Sequence, residues 1–205
     1  MIINVRGTSG SGKTYTVRSF MEAYGPDHTI ADREGKVVAH CIYYKMMPVF
    51  FIGSYKNICG GCDAIPTQDL ACSYVRHFSL YGHVIFEGLL MSHLYARYAA
   101  LYKELTQEYN TPFTFAFMDT PLELCLERVK ARRLEKGNTK EFNPANTIGK
   151  YNSVLTVIEK FKEDQFDVRF INHIASPVKQ LARILDRDTS YDPDMRNTYR
   201  VESFR

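Results

Sequence analysis

Gly7-Thr8-Ser9-Gly10-Ser11-Gly12-Lys13-Thr14 spells a phosphate-binding loop of the form G-x-x-x-x-G-K-S/T. In such a loop the glycines let backbone N–H groups turn inward around phosphate oxygens. The lysine reaches the β- and γ-phosphates, and the closing hydroxyl holds Mg²⁺. The flanks agree with this reading. Ile2-Ile3-Asn4-Val5 is a short apolar run suited to a buried strand. Beyond the loop, Val17, Phe20, Met21 and Tyr24 recur at helical spacing, and Gly25-Pro26 supplies the stop. Strand, loop and helix in that order predict a nucleoside triphosphate site. ATP and Mg²⁺ are its expected ligands, Lys13 serves both binding and catalysis, and Thr14 is the metal-holding hydroxyl.

A chain of 205 residues, 45% hydrophobic and 24% charged, has the composition of an ordinary globular domain. We expect residues 1–185 to form it and the polar, aperiodic stretch 186–205 to be a tail. No apolar run approaches membrane-spanning length, and the start lacks the basic and apolar regions of a signal peptide. Five cysteines, an odd number, point to free thiols in a reducing cytoplasm. The net charge of +3 permits an anionic partner without requiring nucleic acid.

Strands are predicted at 2–6, 37–44, 48–53, 84–87, 114–118 and 168–171, with 37–44 and 48–53 as a hairpin or adjacent pair. The others alternate with helical patterns, which predicts a three-layer α/β domain with a mostly parallel sheet. Thr120-Pro121-Leu122-Glu123 reads as a capping box opening a helix on Leu122, Cys125, Leu126 and Val129. Ser176-Pro177 opens another, with Val178, Leu181, Ala182 and Leu185 inward. A third follows Pro66-Thr67, and a fourth is expected from Gly88, carrying Leu90, Leu94, Tyr98, Leu101 and Leu105.

Chemistry outside the loop centres on Val84-Ile85-Phe86-Glu87-Gly88, an apolar strand ending in an acid. An acid at that place either assists Mg²⁺ or activates an acceptor hydroxyl; the sequence leaves both open for Glu87. Further along, Arg128 and Arg132 lie four residues apart on one helix face, with Arg133 beside them and Gly137-Asn138-Thr139 following. Like charges at that spacing repel. A migrating phosphoryl group between them would reverse the sign, so the segment reads as an arginine-rich lid.

The loop 53–66 holds Tyr55 as a candidate stacking ring, Lys56 as a phosphate contact, Gly60 and Gly61 for close backbone approach, and Asp63 as an alternative base. Cys59 and Cys62 have metal-like spacing, yet nothing nearby completes a tetrahedral set. Asp119 could meet Mg²⁺ or cap a helix. Asp32-Arg33 reads as a surface turn, and Arg76, His93 and Arg97 are weaker acceptor-groove candidates.

No Asn-Lys-x-Asp guanine motif is present, which disfavours a GTPase. Residues 1–20, 84–90 and 114–136 resemble the nucleotide-kinase branch of phosphate-loop enzymes. Residues 115–132, from Phe115 to Arg132, are similar to thymidylate kinases. Taken with Gly53-Ser54-Tyr55, Cys59-Gly60-Gly61-Cys62-Asp63 and Phe86-Glu87-Gly88-Leu89, the pattern more closely resembles bacteriophage 5-hydroxymethyluracil DNA kinases. The resemblance implies a P-loop NTPase fold of nucleotide-kinase type. It also implies ATP-dependent phosphorylation of the hydroxymethyl group of 5-hydroxymethyl-deoxyuridine in DNA. Asp32-Arg33-Glu34 matches the acceptor motif of ordinary thymidylate kinases only in part, which argues against dTMP. The rival readings are a free nucleoside or nucleoside monophosphate kinase, and a non-catalytic ATP-binding subunit.

Overall fold

The computed structural model describes residues 1–56, 60–138 and 140–187. Its elements run β1 (Ile2–Arg6), α1 (Lys13–Tyr24), β2 (His28–Ala31), β3 (Val37–Tyr44), β4 (Met47–Ile52), α2 (Gln68–Ser79), β5 (His83–Glu87), α3 (Ala96–Lys103), β6 (Phe113–Asp119), α4 (Leu122–Glu135), α5 (Ala145–Glu163), β7 (Val168–Asn172) and α6 (Pro177–Leu185). The sheet order is β2-β3-β4-β5-β1-β6-β7. The five strands β4-β5-β1-β6-β7 pair in parallel, and β2 and β3 extend the β4 edge antiparallel.

Strand parity sorts the core into two layers. Ile2, Phe86, Phe115 and Phe117 face α2, α3 and α5, through Val75, Phe78, Tyr98, Leu101, Val157 and Phe161. Ile3, Val5, Ile85 and Ala116 face α1 and α6, through Val17, Phe20, Leu181 and Ile184. A parallel sheet needs helices on both faces, so its central strands are near-continuous apolar runs; β1 is buried at every residue. This is the three-layer P-loop arrangement that the sequence predicts. Because β1, β5 and β6 run parallel, their C-terminal ends bring Gly7, Glu87 and Asp119 to one pole, where such sheets bind ligands.

Several expectations change. The helix expected from Gly88 begins only at Ala96; 88–95 is an irregular crossing with one tight turn at Met91–His93. There the Ser92 hydroxyl donates to Gly88 O at 2.7 Å, and the Arg6 guanidinium takes Met91 O and Leu94 O. Side chains therefore hold carbonyls that a helix would have used. Thr120 does not cap α4: its Oγ1 donates to Ser11 O at 2.8 Å, and α4 starts behind Pro121 with no side-chain cap. The helices expected after Pro66-Thr67 and at Ser176-Pro177 form, with Thr67 and Ser176 as their caps, accepting from Leu70 N and Lys179 N. β2 and the 19-residue α5 escaped the sequence reading. β2 is a mostly exposed edge with no apolar run, and α5 opens on the polar stretch Ala145-Asn146-Thr147. Asp32 forms the surface turn, accepting from Glu34 N and Lys36 N. Of the tail, Asp186 and Arg187 are described, Asp186 accepting from Tyr44 Oη and Lys45 Nζ at 2.9 and 2.7 Å; residues 188–205 lie outside the described residues.

Candidate active site

The loop 7–14 leaves β1 and feeds directly into α1. Its shape is held from outside by three elements: Gly7 N–H donates to Ser92 Oγ at 3.2 Å, Thr120 Oγ1 holds Ser11 O, and Arg128 Nη1 donates to Gly10 O at 3.2 Å. Thr8 Oγ1 also reaches Thr147 O on α5, at 3.5 Å. Gly10 has φ +81°, and a Cβ there would sit 2.3 Å from Cys125 O. The loop and α4 can approach this closely only because that side chain is missing. Lys13 is buried, and its Nζ donates to Gly7 O and Thr8 O at 2.9 and 3.1 Å. Burial pushes its pKa down, with Glu87 and Asp63 pulling the other way. The start of α1 adds unpaired N–H groups and the positive end of its dipole, which suit an anion. The donor set, all amides, one ammonium and one hydroxyl, fits a triphosphate.

Glu87 closes β5 beside this loop, with 1% of its surface exposed. Thr14 Oγ1 donates to Glu87 Oε1 at 2.7 Å. Burial raises the Glu87 pKa to about 7, against the opposing pull of the Lys13 charge and the Thr14 hydrogen bond. A carboxylate paired with the threonine of a phosphate loop is placed to share a cation with it. At neutral pH it is also poised to take a proton.

The loop after β4 closes over this pair. Gly61 N–H donates to Ser54 O at 2.9 Å, making an isolated bridge. Gly61 has φ +70° and ψ −142°, a region open essentially to glycine alone. A Cβ on it would meet Glu87 O at 2.5 Å and Glu87 Oε1 at 2.9 Å; one on Gly60 would reach Thr14 Cγ2 at 3.2 Å. Both glycines therefore sit at the Thr14–Glu87 pair. Asp63 is exposed, with Oδ1 accepting from Leu89 N at 2.7 Å, and Lys56 is exposed. Tyr55 departs from the expectation of a stacking ring: it is 5% exposed and packs in the layer under α1, edge-on to His40. Its carbonyl accepts from Arg18. Cys62 is fully buried, and burial drives its thiol well above the usual range, so it is poorly suited to metal or redox work. Cys59 lies outside the described residues, among which no cluster of three or more metal-ligating side chains occurs.

In the arginine segment, Arg128 touches the phosphate loop and the charge of Arg132 reaches Lys13. Arg133 faces elsewhere: its Nη2 donates to Asn138 Oδ1 and Lys140 O, both at 3.4 Å, and it lies over the Phe142 ring. The helical spacing of 128 and 132 separates the pair from 133, which holds the following turn instead. Thr139 of the expected lid lies outside the described residues. Arg76 and Arg97 are engaged in surface ion pairs with Glu104 and Asp69, away from the loop. His93 is half-buried; burial and then the Lys150 charge push its pKa down. Asp119 accepts from His173 Nδ1 through its carbonyl at 2.8 Å.

Sequence reasoning missed Arg6. Positions 2, 4 and 6 of β1 point to the same face, so Arg6 enters the aromatic layer. It is fully buried, its guanidinium carbon 4.9–5.8 Å from the ring centres of Tyr98, Phe115, Phe117 and Phe161. Burial lowers its pKa to about 9. The π faces offset part of the desolvation cost, and Nη2 donates to the Met91 and Leu94 carbonyls, while Nε and Nη1 have no hydrogen-bond partner among the described residues. Arg6 thereby ties the crossing that follows Glu87 to the residue preceding the loop. Arg6→Ala removes this contact and opens a cavity, and should lower unfolding free energy by about 3–5 kcal/mol, the scale of large-to-small core changes. Denaturant titration checks it; a loss below about 1 kcal/mol would contradict the clamp.

A family model described as 5-hmdU DNA kinase matches residues 1–179. The 5-hmdU DNA kinase of Pseudomonas phage PaMx11 is 36% identical over 169 residues, covering 78% of this chain and 84% of that protein. That of Delftia phage PhiW-14 is 27% identical over 172 residues, covering 78% of this chain and 63% of the relative. Among solved structures, deoxyadenosine kinase from M. mycoides with bound dCTP aligns with a TM-score of 0.46 and 13% identity, covering 91% of this chain and all of that one. With the family model spanning most of its length, this chain belongs to the 5-hmdU DNA kinase family.

Proposed function

We propose that this kinase transfers the γ-phosphoryl group of ATP to the hydroxymethyl oxygen of 5-hydroxymethyl-deoxyuridine in DNA. The reaction would be a step in phage thymidine hypermodification, carried out in the host cytoplasm. The observation that carries the reading is the hydrogen bond between half-buried Thr14 and buried Glu87 at the mouth of the phosphate loop. Lys13 and the amides of Gly7, Thr8, Ser9, Gly10, Ser11 and Gly12 hold the triphosphate. Thr14, with Glu87 beside it, would hold Mg²⁺, which supplies charge neutralisation to the phosphates. The acceptor alcohol attacks the γ-phosphorus, the bond to the β,γ-bridging oxygen breaks, and ADP leaves. The alcohol proton goes to a carboxylate. Glu87 is the better base, because its pKa lies near working pH, while Asp63 is exposed and engaged with Leu89 N. Arg128 and Arg132 stabilise the charge on the moving group. Lys56, Gly60 and Gly61 border the acceptor.

Incubation with γ-labelled ATP should label hydroxymethyluracil-containing DNA and leave free nucleosides and monophosphates unlabelled; the reverse distribution would favour a free-nucleotide kinase. Arg128→Ala should lower kcat on the order of 10²-fold, the scale of one lost transition-state donor. Arg133→Ala, which alters only the turn after α4, should leave kcat unchanged. Equal losses in steady-state assays of the two variants would refute the assignment.

A further inference from the structure

Beside the outer flank of α1, facing β2 and β3, lies a cleft of about 590 Å³ that the chemistry above does not use. It lies within the size range of small-molecule sites. One of its walls is the acceptor loop itself. Arg18 donates to Tyr55 O, Tyr55 N–H donates to His40 Nε2 at 3.4 Å, and His40 Nδ1 meets Asp27 Oδ2 at 2.7 Å. If Nε2 accepts, the imidazole proton is on Nδ1 and points to Asp27. The chain of bonds joins the cleft to the loop that covers Glu87.

Position and charge then narrow the occupant. Arg18 lies four residues after Thr14, about 6 Å along the α1 axis, comparable to one nucleotide step of a single strand. The cations Arg18 and Lys56 stand at this near end, while the carboxylates Glu22 and Asp27 stand further along, over an apolar floor that includes Met21. A bare polyanion would be repelled by the carboxylates. A nucleotide suits both: its phosphate meets the cations, and an exocyclic amino group donates to a carboxylate.

We infer that the cleft receives the nucleotide adjoining the acceptor in the same single DNA strand, with preference for an amino-bearing base. The inference rests on DNA being the acceptor. Such a site gives the polymer an affinity that a free nucleoside lacks.

The test uses the full chain and trinucleotides with central hydroxymethyl-deoxyuridine, carrying either normal flanking bases or an abasic site on the 5′ or 3′ side. Removing the base on one side should lower kcat/KM about tenfold, the scale of one base contact. Thr29→Trp fills the cleft from an exposed edge position, and Glu22→Gln removes one acceptor without adding bulk. Both should abolish the preference while leaving Mg-ATP affinity by calorimetry unchanged. Equal wild-type rates on all three acceptors, or a preference that survives both variants, overturns the cleft assignment and leaves the kinase reading standing. No transfer to any hydroxymethyluracil acceptor overturns the kinase reading and the cleft assignment together.

Discussion

Glu87→Gln should nearly abolish phosphoryl transfer and yet make the ligand-free protein more stable at pH 8. On the catalytic side, the substitution keeps the size and the acceptor for Thr14 Oγ1 but cannot take the alcohol proton. A loss of about 10²–10⁴-fold in kcat is expected for a missing general base. On the stability side the sign follows from burial. The folded pKa of Glu87, about 7, lies above its ordinary value of 4.5, so the folded state holds this proton more tightly than the unfolded chain does. The contribution of Glu87 to stability is therefore most favourable below pH 4.5. It declines as pH rises between those values, and the full cost of burying the charge is present above pH 7. Glutamine carries no charge, so at pH 8 the variant should gain up to about 3 kcal/mol over wild type, with the gap closing near pH 4.5. Urea titrations in EDTA at the two pH values decide it. A variant equally destabilised at both would show that the carboxylate is anchored by more than Thr14 and Lys13.

Gly61→Ala should damage the loop after β4 where it meets Glu87. Its backbone occupies a conformation that L-residues rarely adopt, a strain of about 1–3 kcal/mol. The new Cβ would also lie 2.5 Å from the Glu87 carbonyl oxygen. Backbone cannot yield cheaply, so the loop must lift from Glu87, and kcat should fall at least tenfold as the carboxylate loses its lid. Gly35→Ala is the matched control: φ is +79° with nothing within 4 Å, so it carries strain without collision. It should cost stability and leave kcat alone. Measuring melting temperature and transfer rate for both separates the two causes; parallel behaviour would remove Gly61 from the site.

Much of the site was legible because its signals are local. The phosphate loop, its strand and its helix are contiguous in sequence, and their spacing follows from backbone geometry alone. Glu87 stood out as a charge ending an apolar strand. Tyr55 did not read correctly, because exposure is a property of neighbours: its ring is covered by packing that comes from β3, α1 and Gly60 of its own loop. Thr120 carried a sound local capping pattern, and a longer-range demand, the Ser11 carbonyl, took its hydroxyl instead.

From its residues alone, the chain determines that β1 must end in a phosphate cradle and that an acid must close β5, since apolar periodicity and glycine chemistry act over a few positions. Only the tertiary structure decided that these meet at Thr14, that Gly61 roofs them, and that Arg6 lies buried among four rings. Those contacts join positions from 26 apart (Gly61 and Glu87) to 155 apart (Arg6 and Phe161), and their energies come from burial and desolvation. Both depend on what the rest of the chain places nearby.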